Sequence, residues 1–133
     1  MKYLLDTNAV IGLLNRTSQP LLDRIRASAP ADVGVSAVVI HELYYGAYKS
    51  QRVEPNLALV DGLLFEVLEF NRDDARHAGE LRAHLARAGQ PIGPFDLLIA
   101  GQARARGLVL ISANTTEFGR VPGLQLENWQ VSQ

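Results

Sequence analysis

Apolar residues along this chain fall into two patterns, short unbroken runs and longer stretches in which they recur every three or four positions. The unbroken runs predict a buried strand at 2–5 and further short strands at Val33–Val35, Val67–Phe70 and Leu108–Ile111, with a last strand around Leu124–Trp129. Between them the helical spacing predicts Asn8–Asn15, with Val10, Ile11, Leu13 and Leu14 on its apolar face, and a second helix opened by Pro20 that ends near Ser28. Ser36 is placed to cap a helix from Ala37 to about Lys49, and Pro55 to start the next one. Asn71 caps a helix from about Asp73 to Ala88, stopped by Gly89, and the stiff loop PIGPFD leads into a helix over Asp96–Arg106.

Short apolar strands alternating with helices predict an α/β fold in three layers, a central, mostly parallel sheet of four to five strands with helices on both faces. No repeat, linker or low-complexity segment divides the chain, so residues 1–133 read as a single domain. In such sheets the side chains that follow the strands converge on a crevice where the strand order reverses. That rule gives a location to Asp6, which interrupts the apolar run KYLLDTNAVIG.

Two other acids share that setting. Glu42, in VVIHELYYG, borders the apolar face of its helix, and Asp96 opens a helix between Phe95 and Leu97-Leu98-Ile99, apolar neighbours expected to be largely buried. Each has an ordinary explanation, a helix N-cap for Asp6 and Asp96 and a solvated helix edge for Glu42. Taken together they carry more weight, because none has a basic residue beside it in sequence. Two carboxylates about 4 Å apart repel by about 4 kcal/mol at an effective dielectric near 20, against a total stability of roughly 5–15 kcal/mol. Protonation, an Arg or a divalent cation has to offset this, and oxygen donors favour Mg²⁺ or Mn²⁺ over zinc.

The chain has no Cys, which removes disulfides and thiolate chemistry and suits a reducing cytoplasm. Its N-terminal run is too short for a signal peptide or membrane span, so neither export nor insertion is expected. With a formal net charge of −1, attraction to nucleic acid must be local. Of the 13 basic residues only Lys2 and Lys49 are Lys, and Arg suits bidentate phosphate contacts. His41, His77 and His84 are not spaced as a metal set. On the helix over Ala37–Lys49, Tyr44 and Tyr48 read as core, and Tyr45 as free for an interface or for stacking a base.

LLDTN, SAVVIHELYYGAYKS and PIGPFDLLIAGQARARGLVLISANTTEFGRVPGLQLENW, in this order and spacing, resemble the PIN-domain ribonucleases of the VapC toxin type over essentially the whole chain. The last segment is most similar to the initiator-tRNA endonucleases of that group. The resemblance implies a Mg²⁺-dependent endoribonuclease that leaves a 5′-phosphate and a 3′-hydroxyl, with Asp6, Glu42 and Asp96 holding the metal. Many PIN domains carry a fourth acid after the last core strand; here Asn114 stands there, with Glu117 three residues on, and either is a candidate ligand. Ser112 and Thr115 are candidates for holding water or phosphate. Arg16, Lys49, Arg52 and Arg120 flank the motifs and are candidates for RNA phosphates. The family also implies a homodimer and a separate VapB antitoxin whose tail can bring an Arg to the acidic pocket.

Two non-enzymatic readings compete with this one. A receiver-like cation-binding module would want a Lys after a late strand, which this chain lacks. A PIN fold that has lost catalysis would not need all three acids.

Overall fold

Strands of only three or four residues hold together where neighbours pair with them on both sides. The computed structural model describes residues 1–131 and realises this arrangement. In chain order, β1 (Tyr3–Leu5) leads to α1 (Thr7–Asn15) and α2 (Gln19–Ala27), and β2 (Val33–Ser36) to α3 (Ala37–Lys49) and α4 (Val53–Asp61). Then β3 (Glu66–Leu68) leads to α5 (Arg72–Arg87) and α6 (Pro94–Ala105), and β4 (Val109–Ile111) to α7 (Thr115–Phe118) and β5 (Gln125–Glu127). The sheet order is β3-β2-β1-β4-β5 and every neighbouring pair is parallel.

The central strands β1, β2 and β4 are almost wholly buried, and the edge strands β3 and β5 are largely exposed. Steps from β1 to β2 to β3 run one way across the sheet and the step from β4 to β5 runs the other, so right-handed crossovers put their helices on opposite faces. One cluster of buried side chains joins both layers, with Leu4, Leu5, Val35, Leu110 and Ile111 of the sheet packed against Val10, Leu21, Val39, Leu81 and Ile99 of the helices.

The elements follow the sequence pattern with informative shifts. Helix α4 starts at Val53, which leaves Pro55 inside its first turn, where its missing N–H breaks no bond. Pro94, and not Asp96, is the first residue of α6. Strand β3 ends at Leu68, opposite Ser36 where β2 also ends. Neither a 3-10 turn at Pro30–Asp32 nor the short helix α7 was expected. Tyr48, expected in the core, is 66% exposed, because α3 buries the stripe Val39, Leu43 and Ala47 instead. Tyr44 is half-buried and donates its hydroxyl hydrogen to Asp61.

Helices α5 and α6 form an antiparallel hairpin locked by polar contacts. Asn71 and Asp74 build a reciprocal capping box at the start of α5. Asp74, fully buried, accepts from Arg106 Nη2 at 2.9 Å and Gln102 Nε2 at 3.0 Å. Burial pushes the Asp74 carboxyl up, but Arg106, the Asn71 amide and Gln102 outweigh it and hold the group below the usual carboxylate range. Midway along the hairpin the backbones nearly touch, since a Cβ on Gly101 would lie 2.7 Å from the Cα, Cβ and N of Ala78. Gly101→Ala should therefore destabilise the protein by about 1–3 kcal/mol in urea unfolding. Gly79→Ala, where nothing lies within 4 Å of the added methyl, should instead be neutral or stabilising by up to about 1 kcal/mol. Equal effects of the two substitutions would rule out close α5–α6 contact as the reason for the glycine.

Candidate functional site

The order of strands reverses at β1, and the residues leaving β1, β2 and β4 meet there. Asp6 follows Leu5, Ser36 ends β2 and caps α3, and Ser112 follows Ile111. The Asp6 amide donates to the Ile111 carbonyl at 3.1 Å, which ties the start of α1 to the end of β4. Asp6 is 3% exposed, and its Oδ1 accepts from the Ala9 amide at 2.8 Å. The ordinary capping explanation for Asp6 is thus correct, and it accounts for one of the two carboxylate oxygens. Burial raises the Asp6 pKa; the Ser112 hydroxyl and Ala9 amide oppose this, and the charge of Glu42 adds to it.

Glu42 lies in the second turn of α3, half-buried, and its Oε1 accepts from the Thr7 hydroxyl at 2.7 Å. Asp96 lies in the first turn of α6. Its pKa is pushed up to about 6, first by burial and then by the charges of Asp6, Glu42 and Glu117. The charges of Asp6, which caps α1, of Glu42 on α3 and of Glu117 on α7 therefore all bear on Asp96 of α6, and Glu42 bears on Asp6 as well. Among the described residues the ion pairs are Lys2–Asp32, Arg24–Glu127, Arg104–Glu80 and Arg106–Asp74, so none of the four acids is matched by a cation.

Asn114 and Glu117 act together. The Asn114 side chain caps α7 and donates Nδ2 to Glu117 Oε2 at 2.8 Å, which holds Glu117 beside the cluster. Ser112 Oγ accepts from the Asn114 amide at 2.9 Å. Thr115 is the exposed first residue of α7.

As a donor set, these side chains offer only oxygen and uncompensated negative charge, which suits a hard divalent cation. Among the described residues no three acids or histidines already surround one point at ligating distance. The donors fit such an ion in chemistry and charge, in an arrangement open toward the crevice.

The four basic candidates sit at the ends of elements or in loops. Arg16 ends α1 in a left-handed conformation, φ 53°, and Arg52 precedes α4. The Lys49 ammonium sits over the Tyr45 ring, 5.0 Å from its centroid. Arg120 donates to the Pro91 carbonyl at 3.4 Å and so touches the loop that leads to Asp96. His77 accepts from Arg104 Nε, away from the acids. Phe95, expected to be largely buried beside Asp96, is 42% exposed. Thr7 was not foreseen as a partner of Glu42, although its place next to Asp6 in LLDTN is the signal for it.

Two concavities flank the site. A cleft of about 280 Å³ between α1, α3 and α4 has Glu42 in its wall, with Ile11, Leu14, Gly46 and Leu59 along it. A larger apolar cavity of about 760 Å³ between α5 and α6 has no acidic residue in its lining, so size does not mark the chemistry here.

The PIN domain family matches residues 3–124. The tRNA(fMet)-specific endonuclease VapC of Shigella flexneri is 43% identical over 97% of this chain and 98% of its own length. The protein of the same name from Salmonella typhimurium strain LT2 is 40% identical over the same shares. The crystal structure of DNA-bound VapBC from Salmonella typhimurium superposes with a TM-score of 0.92 at 40% identity, covering 97% of this chain and 98% of that one. Agreement at this level over nearly the full length, in sequence and in fold, means that the chain belongs to the VapC group of the PIN-domain family.

Proposed function

We propose that this chain is a Mg²⁺-dependent endoribonuclease toxin, with Mn²⁺ an acceptable substitute, that cleaves a tRNA and so halts translation in the cytoplasm. Residues 1–133 act as one PIN domain. The observation that carries the reading is the unmatched carboxylate cluster, in which Asp96 is pushed up to about 6 by burial and by Asp6, Glu42 and Glu117. The initiator-tRNA specificity of the Shigella and Salmonella relatives is the substrate assigned to this chain. The VapBC neighbours support a VapB-type antitoxin as partner, and the resemblance to the family suggests that the toxin is a homodimer.

Asp6 and Asp96 would hold the cation, with Glu42 and Glu117 as further oxygen donors nearby. Bound there, a divalent ion would supply positive charge for the phosphate oxygens and make water more acidic. Glu42 is placed to accept the proton of the attacking water, with Thr7 fixing its orientation through the 2.7 Å hydrogen bond. The water oxygen bonds to phosphorus as the bond to the 3′ oxygen breaks, and that oxygen leaves with a proton. Asn114 holds Glu117 in place. Arg120, at the loop preceding Asp96, is the best placed of the four basic candidates to meet the RNA backbone, with Arg16, Lys49 and Arg52 farther along its path.

Cleavage of an initiator tRNA transcript should require Mg²⁺ or Mn²⁺ and stop with EDTA. Asp6→Asn and Asp96→Asn should each slow it by at least roughly a hundredfold while circular dichroism stays unchanged. Full activity in either variant removes that residue from the site.

The electrostatics make a separate prediction about stability. A carboxyl whose folded pKa lies above its unfolded value binds more protons when folded, so stability falls as pH rises from about 4 to about 6 and is lowest above that window. Asp96→Asn should thus raise the melting temperature of the metal-free protein at pH 7 by a few degrees, about 1–2 kcal/mol after solvent screening. It should also flatten the pH 4–6 slope, and Mg²⁺ should stabilise the wild type more than the variant. A lower melting temperature for Asp96→Asn, with the slope unchanged, would count against a clustered pocket.

A further inference from the structure

Two aromatic rings meet at the edge of the acidic crevice, each one residue away from one of its acids. His41 precedes Glu42 on α3 and Phe95 precedes Asp96 on α6. Their ring centroids are 5.3 Å apart with planes inclined at 50°. Phe95 is 42% exposed and His41 is exposed as well. Pro94, which opens α6, is exposed too, whereas farther along the helix Leu97, Ile99 and Ala100 turn into the core. A phenyl ring left in water beside a charged crevice is a feature that folding does not require.

We infer that Phe95, backed by His41, is a stacking platform for one unpaired nucleobase of the RNA whose phosphate lies at the acidic cluster. This rests on the nuclease reading above and adds a contact to it. Adjacent residues along a chain stand 3.8 Å apart at Cα, so a ring next to Asp96 lies within a nucleotide's reach of a phosphate held there. The four carboxylates repel the RNA backbone, so a contact at this spot gains from being uncharged, and the π-face of a base is uncharged. The rings are tilted and do not close into a parallel stack on each other. Every base has such a face, so the platform selects an unpaired base over a paired one and tolerates sequence.

Tyr45, the residue on α3 that the sequence suggested for stacking, is less suited. It is 60% exposed, but the Lys49 ammonium already lies over its ring.

The test uses the full chain and a complete initiator tRNA, intact or with a single abasic nucleotide at each unpaired position in turn. Cleavage is measured under single-turnover conditions with Mg²⁺. In the wild type one abasic position should slow cleavage by roughly five- to a hundredfold. Phe95→Ala should slow cleavage of the intact RNA by a similar factor and be indifferent to that abasic position, and Phe95→Leu should behave like Phe95→Ala. Phe95→Tyr should restore both the rate and the sensitivity.

Phe95→Ala cutting intact RNA at the wild-type rate, or staying as sensitive as the wild type to every abasic position, overturns the platform alone. So does rescue by Phe95→Leu, or a loss of rate that follows dissociation to monomers in sedimentation, which would make Phe95 an interface residue. A wild type that cuts none of these RNAs with Mg²⁺ or Mn²⁺ overturns the nuclease reading, and the platform with it.

Discussion

Like-charge repulsion across one crevice is the constraint to which the site answers. The same chain shows what it does with a buried acid meant only to hold the fold together. Asp74 is given Arg106, the amide of Gln102 and a capping N–H, and its charged form is favoured despite burial. Asp96 receives no such partner, and burial first, then the charges of three other acids, disfavour its charged form. One acid is satisfied from within the protein and the other is left to be satisfied from outside, a distinction that burial alone would not reveal.

The sheet produces this confrontation with little chain. Because β1 lies between β2 and β4 with all three parallel, the three strands release their next residues at one edge. Each release point is followed at once by a helix or a turn, so Asp6 and Ser36 serve as caps of α1 and α3. Asp96 arrives at the same edge from the other side, delivered by the α5–α6 hairpin whose close packing depends on Gly101. The Asp74–Arg106–Gln102 contacts tie the far part of that hairpin, and through its rigidity they bear on where Asp96 stands. Stability and site geometry are coupled there, since loosening the hairpin would move one acid relative to the other three.

Much of this was legible in the sequence, for identifiable reasons. The central strands β1, β2 and β4 were readable because parallel burial demands unbroken apolar runs, and Asp6, Glu42 and Asp96 because a charge inside or beside an apolar run stands out. Helix starts were less legible where Pro is involved: Pro94 takes the first position of α6, but Pro55 sits inside the first turn of α4, and both are compatible with the missing N–H. Side-chain exposure was misjudged for Phe95 and Tyr48, since helical spacing names a face without saying how far the neighbouring elements cover it. Asn114 and Glu117, three residues apart, could be named as candidates from their place after the last core strand, whereas the Thr7–Glu42 bond joins residues 35 apart. A pairing of that reach depends on tertiary placement.

Asp6 also shows why a structural and a functional account of one residue need not compete. A carboxylate has two oxygens and about four acceptor directions. The Ala9 amide takes one oxygen for the helix cap at 2.8 Å, which fixes the side-chain torsion. With the torsion fixed, the second oxygen is left for other partners without further entropy loss, and the Ser112 hydroxyl adds to the stabilisation of the carboxylate. Capping therefore pre-organises the acid, and the rigidity of the first turn of α1 is passed on to the site. Asn caps a helix about as well as Asp but brings no charge. The two roles share one side chain and still separate cleanly by chemistry: the hydrogen bond to Ala9 needs only an oxygen, whereas an ion in the crevice needs the negative charge.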